Sequence, residues 1–307
     1  MTKKPTVTVA VCAYNEEKNI ANFLKSVLTQ KEDGFEIKKI VVISDGSTDQ
    51  TIQKIKSINN SKIQLIISVN RIGKSSHLND IYRDLNTDYL VQSDADVVFS
   101  HKNVARDIIQ PLINNPQVGM VGGNPVPLHA HSFWEKVVSN AFEPYQKFRS
   151  DIRGGNNAFS AVGQILAYKK ALLKSIKIPQ DMVTNDLYTY FCCLSDNWQY
   201  RYVKSAIVYF QPPKILRDMS RQNTRFYSGY LRMFNYFDKD LVNSEMSIPK
   251  FVKYRALFKQ FLSHPILSLV YVGVNICCEI YASFFGNKLN AKWPIAITTK
   301  KLNKINI

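Results

Sequence analysis

The residues best suited to chemistry are carboxylates set in short polar turns: Asp94-Ala95-Asp96, Asp45 in Ser44-Asp45-Gly46-Ser47, Glu16 in Tyr14-Asn15-Glu16 and Asp186 in Thr184-Asn185-Asp186. Two carboxylates two residues apart at a strand end can divide their labour. One holds a polar ligand while the other coordinates a hard divalent cation together with two phosphate oxygens. The same triplet also reads as a solvated turn that caps the next helix. Two further groups could join them: the loop Arg71-Ile72-Gly73-Lys74, and the run Gln222-Asn223-Thr224-Arg225-Phe226, which combines an amide, a planar guanidinium and a ring. Plainer readings stand beside each: a solvated lysine at 74, a helix cap at Asp186, a basic helix face over 217–232. His129 and His131 lie two apart with no identifiable third ligand and read as a polar loop.

Such turns do chemistry only if a scaffold brings them together, and the first 125 residues alternate strand and helix. Val7–Val11 is an apolar run ending at Tyr14-Asn15-Glu16, and residues 17–29 show helical spacing of Ile20, Phe23, Leu24, Val27 and Leu28. Ile40–Ile43 leads into the Asp45 turn and a helix through about Ile58, and Ile63–Val69 into a helix from about Ser75 to Leu85. Tyr89–Gln92 runs into Asp94, with a helix after it that ends near Pro111 or Pro116. The fold class is therefore α/β, a mostly parallel sheet with helices on both faces, and the acidic turns fall at the carboxyl ends of its strands, where such sheets bind ligands. Beyond Val126 the pattern loosens. It gives an aromatic helix (Phe133–Phe148), a Gly/Asn loop (Gly154–Asn157), an apolar segment AVGQILAYKKALL, a helix starting near Asp186, a strand-like WQYRYVKSAIVYF and a long basic helix from about Lys214 to Phe237.

Taken in order, AYNEEKNI, ISDGSTDQT, RIGKSSHLN, SDADV, TND and RQNTRF resemble the motifs of an inverting family-2 glycosyltransferase with the GT-A fold, over roughly residues 6–230. The resemblance implies that Asp45 hydrogen-bonds the base of a nucleotide-diphospho-sugar, most often a UDP-sugar, with Tyr14, Asn15, Glu16 and Lys74 lining the same pocket. Asp94 would contact the nucleoside, and Asp96 would bind Mn²⁺ or Mg²⁺ on the diphosphate. Asp186 matches the family's general base, which must approach the anomeric carbon from the side opposite the leaving diphosphate. Asn185 stands where an acidic neighbour is common. Gln222-Asn223-Thr224-Arg225-Phe226 is similar to the QxxRW signature of membrane polysaccharide synthases, which assigns Arg225 to the leaving diphosphate and Gln222 and Phe226 to the acceptor; Phe226 replaces the signature's Trp. A polyprenyl-phosphate sugar synthase shares the N-terminal half but not the QNTRF run.

Composition bounds the rest. The chain has 307 residues, 40 Lys+Arg against 24 Asp+Glu, a net charge of +16 and 45% hydrophobic residues, enough for a large core and incompatible with a disordered chain. Residues 1–150 carry net +3 and residues 151–307 carry net +13, so the second half faces something negative. Five cysteines with no regular spacing indicate a reducing compartment, and no secretory leader is expected. One apolar stretch, 265–285, would form a helix about 31 Å long, close to a bilayer's hydrocarbon thickness. Its Ser268, Asn275, Glu279, Ser283 and Gly286 fall within roughly an 80° sector at 100° per residue, a stripe that wants a protein partner. Lys288, Lys292, Lys300, Lys301 and Lys304 follow it, against the positive-inside tendency for a single crossing.

The expectation is three regions. Residues 1–125 form the nucleotide-sugar half, 126–237 the acceptor and catalytic half, and 238–307 a basic and apolar helical region. The last would lie on an anionic membrane at the cytoplasmic face and pack on the catalytic domain, on a membrane subunit or on a second copy of the chain, or form a re-entrant segment, in preference to a simple crossing. A glycan or lipid-linked acceptor is expected. The alternative of another class is a basic nucleic-acid or anionic-surface binding protein without catalysis; nucleic acid, which attracts the same charges, is expected not to be the partner.

Overall fold

A computed structural model describes residues 4–289 together with Lys292, Thr298, Thr299 and Leu302. Lys300, Lys301 and Lys304, counted above with the lysines after the apolar stretch, lie outside the described residues.

The N-terminal half alternates as expected: β1 (Thr6–Ala13), α1 (Ile20–Leu28), β2 (Glu36–Asp45), α2 (Thr51–Lys56), β3 (Ile63–Ser68), α3 (Lys74–Arg83), β4 (Tyr89–Asp94), β5 (Val97–Phe99) and α4 (Val104–Asn114). Then come β6 (Val118–Pro127), α5 (Phe133–Asp151), β7 (Ile165–Lys169), α6 (Lys170–Leu173), α7 (Asn185–Ser195), β8 (Gln199–Phe210), α8 (Leu216–Met233), α9 (Lys239–Met246), α10 (Lys250–Ser263) and α11 (Pro265–Phe285). Pro111, expected to end α4, lies inside it: having no N–H, it simply leaves one carbonyl unbonded on a helix that continues to Asn114. Ser132 opens α5 with a capping box, its hydroxyl accepting from Glu135 N while the Glu135 carboxylate accepts from Ser132 N.

Eight strands form one sheet in the order β3-β2-β1-β4-β7-β6-β8-β5. The block β3-β2-β1-β4 is wholly parallel, but β7 joins β4 antiparallel, β6 joins β7 antiparallel, and β5 joins β8 antiparallel, so the sheet is more mixed than its first half suggests. The period-2 alternation of β1 explains the two covered faces. Val7, Val9 and Val11 pack with Phe23 of α1 and Ile108 of α4, whereas Ala10 packs with Leu78 and Ile81 of α3. Fully burying an aliphatic or aromatic side chain of this kind is worth about 1.5–3 kcal/mol, and both faces carry many of them.

Helices α10 and α11 form a hairpin against α5 and α8. The polar stripe foreseen on α11 has its partner in the same chain: Asn140 of α5 donates to Ser268 (3.2 Å), Asn223 of α8 donates to Asn275 (2.7 Å), and Gly286 sits against Ser228 of α8. Glu279 lies near enough to Tyr227 of α8 to raise its pKa, after burial. Ser283 departs from the stripe, being exposed and bonded to Ile280 O within its own helix.

Candidate active site

Strand register brings the acidic turns to one edge. Cys12 pairs with Ile43 on one side and Asp94 on the other, and Ala13 pairs with Ser44, so β1, β2 and β4 end together beside Tyr14-Asn15-Glu16, Asp45 and Asp94-Ala95-Asp96.

Asp45 is buried. Its carboxylate accepts from Ile72 N (2.7 Å) and Gly73 N (3.0 Å) and lies 2.9 Å from His77 Nε2. Burial by itself would raise its pKa, but the His77 contact and the two backbone donors outweigh burial and leave it below the ordinary carboxylate value. Asp45 thus pins the loop that opens α3. Gly46 beside it has φ +68°, and a Cβ there would stand 2.7 Å from Arg71 N, so the close approach of loop and strand needs glycine. The Arg71 guanidinium lies over the Tyr14 ring at 4.2 Å. Asn15, at φ +54°, accepts from Thr48 N (2.8 Å), and Glu16 Oε2 accepts from Asn19 Nδ2 (3.0 Å), which turns the Glu16 carboxylate towards the start of α1.

Lys74, the first residue of α3, points its ammonium at Asp94 Oδ1 at 2.5 Å. Burial would lower its pKa, but Asp94 first, with Cys12 and Asp186 adding to it, raises it above the ordinary lysine value. Asp96 follows in the half-buried turn between β4 and β5.

Asp186 lies in the first turn of α7. Its Oδ2 accepts from Gly163 N at 2.8 Å and its Oδ1 from Leu187 N at 3.0 Å, so both oxygens are oriented by peptide N–H groups. The Asn185 amide oxygen instead receives the Ser75 hydroxyl (2.9 Å), tying α7 to α3. The two carboxylates and the lysine converge. An ideal Cβ on Gly163 would lie 3.4 Å from Asp186 Oδ2, 3.7 Å from Asp94 Oδ2 and 3.7 Å from Lys74 Nζ.

Helix α8 lies behind α7. A Cβ at Gly229 would stand 2.2 Å from Thr184 Oγ1, so the helix backbone presses on the residue that precedes Asn185-Asp186. Gln222, Arg225 and Phe226 precede Gly229 by seven, four and three residues and therefore share its face of α8. Gln222 and Arg225 are half-buried, and Phe226 is 49% exposed with its ring 5.3 Å from the Arg225 guanidinium carbon. His129 and His131 stack edge to face at 5.3 Å, and among the described residues no three His, Cys, Asp or Glu side chains group as a metal site.

Sequence reading missed the support behind Asp186. Arg149 of α5 is fully buried and donates from Nε to Phe159 O (2.8 Å). Asn157 donates to Arg149 O (2.9 Å) and Ile152 O (2.7 Å), and the Ser160 hydroxyl donates to Tyr200 (3.0 Å). Together they fix the segment that delivers Gly163. The Ser93 hydroxyl then donates to Gln164 O at 2.7 Å and locks that segment to the end of β4. The only signal in the sequence was a lone glycine at the start of an apolar run.

Divalent-metal chemistry fits this edge. Asp94 is about one-third exposed and Asp96 half-buried, and hard carboxylate oxygens are what Mn²⁺ or Mg²⁺ prefers.

Comparison with known proteins agrees with the geometry. The chain is 26% identical over 265 residues to a poly-beta-1,6-N-acetyl-D-glucosamine synthase of Staphylococcus aureus (strain COL), covering 84% of this chain and 61% of that protein. It therefore spans about three-fifths of the length of the curated relatives it matches. Over 94 residues it is 34% identical to an uncharacterized glycosyltransferase of Haemophilus influenzae, 30% of this chain and 28% of that one. A mannosyltransferase from Pyrobaculum calidifontis, solved with GDP-Man and Mn²⁺, superposes with a TM-score of 0.65 over 93% of this chain and 88% of its own, at 18% identity. Glucosyl-3-phosphoglycerate synthase from Mycobacterium tuberculosis, solved with Mn²⁺, UDP and phosphoglyceric acid, gives 0.56 over 76% and 80%, at 16% identity. These likenesses identify the fold as GT-A. The sequence model described as glycosyl transferase family 2 matches residues 8–177, more than half of the chain, and the protein belongs to that family.

Proposed function

We propose that the protein is a metal-dependent inverting glycosyltransferase that moves a sugar from a nucleotide-diphospho-sugar, a UDP-sugar in the first instance, to a glycan or lipid-linked acceptor at the cytoplasmic face of a membrane. The observation that carries this reading is the convergence of Asp94, Lys74 and Asp186 on the space in front of Gly163, at the strand edge where Asp45 and Asp96 also lie. The mannosyltransferase and the phosphoglycerate synthase of similar fold were solved with nucleotide and Mn²⁺.

Asp96 would hold Mn²⁺ or Mg²⁺ together with diphosphate oxygens. When bound, the ion would neutralise charge that develops on the leaving diphosphate. The rest falls to side chains. Asp94 and Lys74 hold the donor on the nucleotide side. Asp186, its oxygens held by Gly163 N–H and Leu187 N–H, takes the proton from the acceptor hydroxyl as that oxygen attacks the anomeric carbon opposite the diphosphate, so one displacement inverts the centre. Arg225 on α8 supplies a fork for the departing phosphates, while Gln222 and Phe226 on the same face shape the acceptor site.

The membrane would be met by α10 and α11. Phe251, Tyr254, Phe258 and Leu262 on α10 and Ile266, Leu269, Ile276, Ile280 and Phe284 on α11 are all more than half exposed, next to Lys250, Lys253, Arg255 and Lys259. Among the described residues α11 is the one helix long and apolar enough to cross a bilayer. Its opposite side, however, is bound to α5 and α8 from Ser268 to Gly286. On this reading, a helix fixed to the catalytic domain would lie in the membrane plane rather than cross it.

The test is nucleotide release from protein in lipid with Mn²⁺ and a panel of UDP- and GDP-sugars. Asp96→Ala and Asp186→Ala should each lose turnover, with UDP binding kept in Asp186→Ala. Unchanged turnover in either variant refutes the role given to that residue.

A further inference from the structure

Two segments meet at the Asp186 carboxylate: α7, which carries it, and the run from Arg153 to Gly163, which ends in the N–H that fixes its Oδ2. Away from that contact both are tied to one group, Glu245 of α9, which is 8% exposed. Glu245 Oε1 accepts from Arg153 Nη1 (2.6 Å), and Oε2 accepts from Arg153 Nη2 and from the Tyr190 hydroxyl (2.5 Å). A guanidinium fork on both carboxylate oxygens fixes direction as well as distance. Tyr190 is buried. Burial first, and Glu245 after it, push its phenol up, so it stays protonated and donates.

Each donor leads to one side of the Asp186 contact. Tyr190 stands four residues after Asp186, on the same face of α7 and about 6 Å along it. Arg153 opens three successive left-handed residues, with φ +51°, +61° at Gly154 and +91° at Gly155. The glycines adopt this freely, whereas an arginine there must be held by its surroundings. From that bend backbone bonds pass forward: Asn157 N donates to Gly155 O (2.9 Å), Ser160 N to Asn157 O (3.2 Å), Val162 N to Ser160 O (3.1 Å) and Gly163 N to Asp186 Oδ2 (2.8 Å). The two arms meet again at Tyr200, whose ring lies 5.0 Å from that of Tyr190 and whose hydroxyl accepts from Ser160.

We propose that Glu245 is a positioning residue for glycosyl transfer: by accepting from Arg153 and Tyr190 together, it sets the spacing of Gly163 and Asp186 and so aims the Asp186 carboxylate. This deepens the function proposed above and rests on it. Glu245 acts through those two residues and not on the reacting atoms. The task needs a carboxylate, because three donors converge on it and an ionised carboxyl offers acceptors on both oxygens, whereas an amide would turn an NH₂ towards one of them.

Glu245→Gln keeps the side chain's shape and breaks the fork; Tyr190→Phe removes a single hydrogen bond. For both, in the full chain, we would measure melting temperature, hydrogen exchange of peptides covering 152–164 and of β2, affinity for UDP and GDP with Mn²⁺, and the kcat and donor KM of nucleotide release. Exchange should quicken over 152–164 and stay unchanged in β2. Nucleotide affinity and donor KM should hold, while kcat falls about tenfold in Tyr190→Phe and on the order of 10²-fold in Glu245→Gln, the effect of a misplacement of about 1 Å. If Glu245→Gln does not fold, Tyr190→Phe decides by the same readouts. Wild-type exchange over 152–164, or wild-type kcat, in a folded variant overturns the inference. So does nucleotide affinity that falls in step with kcat, because Glu245 would then serve the packing of the whole domain. A wild type that binds neither nucleotide removes the glycosyl-transfer reading instead, and exchange over 152–164 still decides whether Glu245 holds Gly163 to Asp186.

Discussion

At the scale of single residues the site is a set of carboxylates whose environments differ. Asp45 has a pKa below its ordinary value, so its contribution to stability is full above that value and fades as pH falls through the lower folded one. Wild type should therefore resist urea better than Asp45→Asn at pH 7, and the gap should narrow below the ordinary aspartate value of 3.8; a gap independent of pH would mean that the ionised carboxylate is not what holds the Ile72-Gly73 loop. The cysteines give a second reading. Burial pushes the Cys12, Cys192 and Cys193 thiols up to about 12, which leaves scarcely any thiolate at pH 8, and Cys278 is buried, whereas Cys277 is exposed on α11. Mass spectrometry after alkylation of folded protein at pH 8 should find one modified residue, Cys277. The carboxylates that the structure brings together, Asp94 and Asp186, were legible in the sequence because they stand in polar turns at the ends of apolar runs. Gly163 and Arg149 were not. One is a glycine in an apolar segment and the other an arginine in an amphipathic helix, and each gains meaning only when β7 docks antiparallel on β4.

At the scale of elements, the parallel block β3-β2-β1-β4 could be read from periodicity, since β1, β2 and β3 are short apolar runs each followed by a helix. Strand β6 could not. Its sequence VGMVGGNPVP looks like a turn, yet the glycines are there because Tyr200, Trp198 and Ala206 press on the strand: a Cβ would stand 1.9 Å from the Tyr200 hydroxyl at Gly122, 2.9 Å from Trp198 Cβ at Gly119 and 2.7 Å from Ala206 O at Gly123. The contact of α8 with α7 has the same origin. Alanine at Gly229 would gain about 1 kcal/mol of helix propensity but drive a methyl into Thr184, and overpacking of that kind costs on the order of 1–3 kcal/mol. The clash should win. Gly229→Ala is expected to melt lower than wild type and to lose turnover beyond what the melting shift explains, because Thr184 precedes Asn185-Asp186; a variant as stable and active as wild type would show that α8 does not position Asp186.

At the scale of the whole molecule, cations stand in two places, Lys74 beside Asp94 at the strand edge and Lys250, Lys253, Arg255 and Lys259 beside the exposed apolar face of α10 and α11. Cys277 reports on that face without any mutation. Vesicles containing phosphatidylserine should protect it from a water-soluble maleimide, and phosphatidylcholine vesicles should protect it less; equal labelling with and without anionic vesicles would remove the membrane from the account. The same helix also ties the end of the chain to its catalytic middle. Arg232 of α8, 3% exposed, donates to Gly286 O at 2.9 Å and to Leu289 O, and Thr298 bonds Asp218 in the first turn of α8. A growing polypeptide therefore cannot complete the seating of α8, whose Gly229 presses on Thr184, until residues more than fifty positions downstream of Arg232 have been made. If the proposed function holds, sugar transfer becomes possible only late in synthesis, after the α10–α11 hairpin has emerged, and a chain terminated before Gly286 should fold its N-terminal sheet yet transfer nothing.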